Sequence, residues 1–255
     1  MPLELVTVPC LKDNYAFLIH DPGSRATAVV DVPEAAPIRA ALKARNWTLT
    51  HVLLTHHHWD HIDGVADLID GTEAKVIGAA ADAHRLPPLD LALTEGDSFW
   101  VGGAEGQVID VPGHTVGHIA FYFPQSALVF TGDSLMAMGC GRLFEGTPDQ
   151  MWQSLCKLAA LPPETQVCSG HEYTTSNARF AQSLEEMTPA LILRLDAIAR
   201  ARDAGLPTVP SLLGEELATN PFLRAGTPAL KAAIGMADAQ DAAVFAELRA
   251  RKDNF

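Results

Sequence analysis

Basic residues are scarce: 18 Lys and Arg stand against 31 Asp and Glu, a formal net charge of -13 at pH 7. A general nucleic-acid binder needs an extended cationic face to displace counterions from phosphates, so this balance excludes nucleic acid as a partner and forces any anionic ligand onto a local basic patch. Long apolar runs are missing too. None reaches bilayer-spanning length, which leaves no membrane partner to expect, and the opening Met-Pro-Leu-Glu-Leu-Val lacks the basic and apolar segments of an export signal. The four cysteines, Cys10, Cys140, Cys156 and Cys168, have neither disulfide-framework nor thiolate-metal spacing, as suits a reduced cytoplasm. Repeats and low-complexity tracts are absent, so the chain is no solenoid. What is present, 48% hydrophobic and 19% charged residues over 255 positions, suffices for a globular enzyme with a sizeable core.

Two textures follow one another along the chain. Up to about residue 172, short β-rich runs alternate with Gly, Pro and Asp turns. Strands are expected at Leu3–Val8, Tyr15–His20, Thr27–Val32, His51–Leu54, Lys75–Ile77, Gln107–Val111, Ile119–Phe123, Ala127–Phe130 and Gln166–Cys168, with helices at Pro37–Arg45 and Gly64–Ile69. Adjacent runs read as hairpins as well as crossovers, hence an α/β fold with a mixed pair of sheets and outer helices. Beyond that point Ala, Leu, Glu and Arg dominate, strand signals disappear, and prolines at 207, 210 and 221 cut the tail into helices, the last expected over Ala237–Arg251. The expected domains are residues 1–172 and 173–255.

Of the ten histidines, seven fall in three stretches: His56, His57, His58 and His61, then His114 and His118, then His171. In Thr55-His56-His57-His58-Trp59-Asp60-His61, which follows an apolar strand, side chains two apart face the same way, so His56 and His58 address one point. Asp60 and His61 come where the strand gives way to loop and helix and can address a second. His114, Asp133 and His171 each follow a strand-like run beside a glycine that lets the backbone turn tightly. Imidazole nitrogens with carboxylate oxygens suit Zn, Fe or Mn as divalent ions, and a carboxylate can bridge two of them. His57 and Trp59 alternate away from that face. His118 reads as a structural hydrogen-bonder, and His20, His51 and His84 as ordinary histidines.

The set His-x-His-x-Asp-His, Pro-Gly-His-Thr, Thr-Gly-Asp and Gly-His-Glu-Tyr resembles the metallo-β-lactamase superfamily in its dinuclear hydrolase form. The resemblance implies an αββα sandwich in which His56, His58 and His114 hold one metal, Asp60, His61 and His171 hold the other, and Asp133 bridges them. Narrower motifs, Asp13-Asn14-Tyr15, Gly139-Cys140-Gly141-Arg142, Asn220-Pro221-Phe222 and the terminal Leu248-Arg249-Ala250-Arg251-Lys252-Asp253, resemble the glyoxalase II family of hydroxyacylglutathione hydrolases. That family implies two divalent ions, zinc first with iron or manganese as alternatives, and hydrolysis of S-lactoylglutathione in methylglyoxal detoxification by hydroxide bridging the metals. Asp60 would also hold the hydroxide's remaining proton. The helical tail would be the substrate-binding domain of a monomer.

For the anionic glutathione, Arg249 and Lys252 lie three apart on an expected helix and share a face, with Arg142 and Tyr173 completing the pocket. The bland alternative is a solvated basic helix end. Arg142 stands where many members carry lysine, and Phe144 where a tyrosine hydroxyl often meets the glutathione backbone. Cys140 is expected to support the site, not to act as a nucleophile. Asp31, ending Val-Val-Asp, reads equally as a residue orienting a metal ligand and as a turn cap. The rival on the same fold is a mono-iron persulfide dioxygenase, with which Gly-Cys-Gly-Arg is compatible and Leu143-Phe144-Glu145 is not.

Overall fold

The computed structural model describes residues 2–184 and 187–255. Its chain forms two compact units, Met1–Asp110 with Gly117–Gly132, and Val111–Val116 with Asp133–Phe255. Among the described residues no helix is long and apolar enough to cross a membrane.

The first unit is built on β1 (Glu4–Cys10), β2 (Asn14–His20), β3 (Thr27–Val30), β4 (His51–Leu53), β5 (Lys75–Ala79) and β6 (Leu91–Leu93), a six-stranded sheet in sequence order. The first three strands are antiparallel and the last four parallel, so the sheet is mixed. Helix α1 (Ala35–Arg45) makes the crossover between β3 and β4, and α2 (Trp59–Ile62) and α3 (Val65–Ile69) lie in the next one. Burial explains the sequence pattern: every residue of β2 and β3 is buried, giving near-continuous apolar runs. Ile38 and Leu42 of α1 join Val29, Val52, Val65 and Leu68 in one core cluster. A meander of β7 (Ser98–Val101), β8 (Ala104–Asp110), β9 (Ile119–Phe123) and β10 (Leu128–Gly132) supplies the opposing face, where Phe130 meets Phe17 of β2 at a ring separation of 5.6 Å.

The second unit contains the hairpin of β11 (Leu135–Met136) and β12 (Gly139–Cys140), helix α4 (Pro148–Ala159), β13 (Gln166–Ser169), α5 (Thr174–Leu184), α6 (Pro189–Asp203), β14 (Ser211–Leu212), α7 (Leu213–Thr219), α8 (Pro228–Ala233) and α9 (Asp241–Asp253). The tail is helical as expected, apart from β14, which pairs antiparallel with β13. A strand of two residues has no periodicity to read. The last helix starts later than the expected 237, and ends two residues beyond 251.

Helix α4 escaped the sequence reading although its start is written plainly. Thr147 Oγ1 accepts from Gln150 N at 3.2 Å while the Gln150 side chain accepts from Thr147 N at 2.9 Å, a reciprocal cap with Pro148 at the first turn. Met151, Leu155 and Leu158 then recur at helical spacing and are fully buried. Thr147→Ala removes one half of that cap and is expected to destabilise the protein by about 1 kcal/mol, as a lower urea midpoint at unchanged slope.

Candidate metal centre

In the first unit the histidine motif is anchored by Asp31. This residue adopts φ +55° just past β3, and its Oδ1 accepts from Thr55 N at 2.9 Å. Its Oδ2 accepts from Thr55 Oγ1 and from His61 Nδ1, both at 2.8 Å. Because the Thr55 hydroxyl donates to Asp31, its oxygen accepts from His56 Nδ1 at 3.0 Å. Both rings thereby carry their proton on Nδ1 and keep the Nε2 lone pair for a ligand. Asp31, His56 and His61 offer atoms within 4.8 Å of one another, yet the carboxylate of Asp31 is engaged in orienting the histidines.

The His56 and His58 rings approach to 4.8 Å, and those of His56 and His61 to 4.2 Å. Strand alternation is not the cause. β4 ends at Leu53, and His58 is the cap residue of α2, so a loop and a helix start bring these side chains together. Asp60 Oδ2 lies 4.0 Å from His61 Nε2. His118 donates from Nδ1 to Ile119 O at 3.1 Å and stacks on His56 at 4.6 Å. Gly132 is required beside it: at φ +48°, a Cβ there would come within 2.8 Å of the His118 ring and 2.5 Å of Thr55 Oγ1. His57 turns to buried Asp82 (2.9 Å), which Arg85 also holds. His20 and His51 bond threonine hydroxyls at 2.8 Å.

In the second unit, His114 Nδ1 donates to Arg142 O at 2.8 Å, which in the neutral ring leaves Nε2 as the acceptor. That Nε2 lies 3.4 Å from Asp133 Oδ2, and His171 Nε2 lies 3.3 Å from the same oxygen. Two ring nitrogens gathered on one carboxylate oxygen are stabilised by positive charge among them. The donor set therefore fits a divalent cation of the zinc, iron or manganese type. His171 stacks on Tyr173 at 4.6 Å, and Phe144, 63% exposed, packs edge-on against His114 at 5.3 Å.

The cationic residues gather in the same unit around a carboxylate that the sequence reading had not assigned. Asp253 Oδ1 accepts from Arg249 Nη2 at 2.9 Å and lies 3.4 Å from Arg142 Nε. The i,i+4 spacing from Arg249 was the available signal. Arg249 is buried, donates from Nη1 to Cys140 O at 2.9 Å and lies over the Phe222 ring, so much of its guanidinium ties α9 to the β11–β12 hairpin. Lys252 and Arg142 are more open. Lys252 Nζ donates to Ser176 O and Oγ at 3.1 Å, and its pKa is pushed down to about 8 by burial first, then by Arg249 and Arg142. Burial pushes the Cys140 thiol up to about 11, which removes it as a nucleophile at neutral pH.

The hairpin is held from below by fully buried Glu216, which accepts from Met138 N at 2.7 Å and pairs with Arg194 at 2.9 Å. Asn220 adds donations to Met136 O and Gly139 O at 3.1 and 3.0 Å. These contacts give Asn220-Pro221-Phe222 a structural reason.

Residues 13–171 match the metallo-β-lactamase superfamily, and residues 172–255 match the C-terminus of hydroxyacylglutathione hydrolase. The protein named hydroxyacylglutathione hydrolase in Cereibacter sphaeroides (strain ATCC 17025 / ATH 2.4.3) is 71% identical over 255 residues, covering all of both chains. The chain belongs to the hydroxyacylglutathione hydrolase family. Among solved structures, TTHA1623 in a di-iron-bound form is 30% identical with a TM-score of 0.60, covering 86% of this chain and 100% of that one. The BLEG-1 B3 metallo-β-lactamase, at 23% identity and a TM-score of 0.67 over 86% of this chain and 99% of that one, shares the fold alone. The αββα fold of the superfamily, continued by a helical C-terminal region, is thus the fold of this hydroxyacylglutathione hydrolase family member. Family membership over the full length also sets aside the persulfide dioxygenase reading.

Proposed function

We propose that the chain hydrolyses hydroxyacylglutathione thioesters, S-D-lactoylglutathione first among them, to glutathione and the free hydroxy acid. Full-length identity of 71% to a protein named for that activity carries the reading. His56, His58 and His114 would hold one divalent cation and Asp60, His61 and His171 a second, with Asp133 serving both. The di-iron form of TTHA1623 supports the dinuclear count. Zinc is the first choice, with iron or manganese accepted by the same donors. Such ions, when bound, supply Lewis acidity that polarises the thioester carbonyl and makes water acidic near neutral pH.

The chain's own residues do the rest. Asp31 and Thr55 hold His61 and His56 in the tautomer that presents Nε2, and the Arg142 carbonyl does so for His114. Asp60, as the catalytic carboxylate, accepts the remaining proton of the attacking water as a hydrogen bond. Lys252, Arg142 and Arg249 bind the carboxylates of glutathione, and Tyr173, stacked on His171, borders the thioester. The departing thiolate is a weak base with a conjugate pKa of about 8.5, so no dedicated acid is needed. Residues from 173 onward form the substrate-binding part of a monomeric, cytoplasmic enzyme; the four free cysteines, three of them buried, support a reducing compartment.

Steady-state cleavage of S-lactoylglutathione, followed by thiol release, tests the reading beside oxygen uptake with glutathione persulfide. Thioester cleavage that disappears on chelation and returns with zinc is expected. Oxygen consumption without thioester cleavage would overturn it.

A further inference from the structure

The segment Asp13-Asn14-Tyr15 has no part in the chemistry above, yet its middle residue is buried, with 5% of its surface exposed, at the first position of β2. Asn14 Nδ2 donates to two atoms of a single distant residue: the Asp60 carbonyl at 3.0 Å and Asp60 Oδ2 at 3.1 Å. A carboxamide has two N–H bonds, one for each acceptor. The first bond fixes the backbone at the opening turn of α2, a helix of only four residues that has little rigidity of its own. The second fixes the carboxylate rotamer.

The Asp60 side chain is 21% exposed, so burial alone does not set its carboxylate. Asn14, in contrast, belongs to the sheet: it pairs with Cys10 of β1, and β2 is held on its other side by β3 from Phe17 onward. The donation engages Oδ2.

We infer that Asn14 is a positioning residue for Asp60: through its carboxamide, the rigid sheet sets the direction in which Asp60 presents its carboxylate to a bound cation. This rests on the reading of Asp60 as a metal ligand. Asparagine is the side chain that suits the position, because aspartate has the same shape but no donor and would set a second negative charge against the first.

The test is a cobalt(II) chloride titration of metal-free wild type, Asn14→Asp and Asn14→Ala, read by visible absorption and by competition with a chelator, with thermal unfolding recorded for each. Two cobalt ions are expected to bind the wild type. In both variants one of the two is expected to bind about tenfold more weakly, with an altered absorption band, while the other keeps its affinity. In turnover, kcat falls and KM is retained. A folded variant that takes up both ions with wild-type affinity and spectrum overturns the inference alone. Wild type that takes up no cobalt overturns the metal reading, and this inference with it. A general loss of structure would weaken both ions equally, which also counts against positioning; Asn14→Ala, which adds no charge, supplies that comparison if Asn14→Asp does not fold.

Discussion

Asp133→Asn lowers kcat/KM for S-lactoylglutathione on the order of 10³-fold, about 4 kcal/mol of transition-state stabilisation. The substitution keeps the volume of the side chain and removes its charge. Asp133 Oδ2 lies 3.4 Å from His114 Nε2 and 3.3 Å from His171 Nε2, and in the neutral His114 ring the Nδ1 proton goes to Arg142 O and the lone pair stays on Nε2. Two ring nitrogens are thus gathered on one carboxylate oxygen, an arrangement that is favourable around a cation. Asparagine leaves the geometry but takes away the charge that offsets the ions. Metal content measured on the purified variant should fall along with activity. Activity within tenfold of wild type, at unchanged metal content, would remove Asp133 from the mechanism.

The motif that suggested this residue was legible because metal donors are few in kind and their spacing is constrained. His-x-His-x-Asp-His needs no long-range information to be noticed. Asp31 was different: its two readings, ligand orienter and turn cap, separate only when Thr55 and His61, 24 and 30 residues away, are seen donating to it. Asp253 is a similar case, since its partner Arg142 lies on a distant loop. The uniformly buried strands β2, β3 and β9 stood out as apolar runs, whereas β11, β12 and β14, with two residues each, exist only through their partners. Helix α4 is a different case, since its capping signal Thr147-Pro148-Asp149-Gln150 is local and needs no distant partner to form. The expectation that Arg249 faces substrate freely also changes: at 5% exposure its charge is shared with Cys140 O and Asp253 before any ligand arrives.

That division of labour makes Lys252 the larger direct contributor to substrate affinity. Lys252→Ala is expected to raise KM for S-lactoylglutathione about 10- to 100-fold with kcat close to wild type, because a charge-assisted hydrogen bond to a carboxylate is worth about 1.5–3 kcal/mol and lies remote from the scissile bond. The pH dependence distinguishes this from lost packing. Burial, then Arg249 and Arg142, hold the Lys252 pKa near about 8, below the ordinary 10.5 of lysine. The free enzyme therefore loses this ammonium as pH rises through about 8, and wild-type kcat/KM should fall on that limb. In Lys252→Ala this component of the limb is absent. The sign for stability is opposite: between about 8 and 10.5 the unfolded chain binds more protons at this residue than the folded one, so its contribution to stability rises with pH across that window. Arg142→Ala supplies the last comparison. Removing one neighbouring cation lets the Lys252 ammonium persist to higher pH, so the limb should shift upward even as KM at neutral pH worsens.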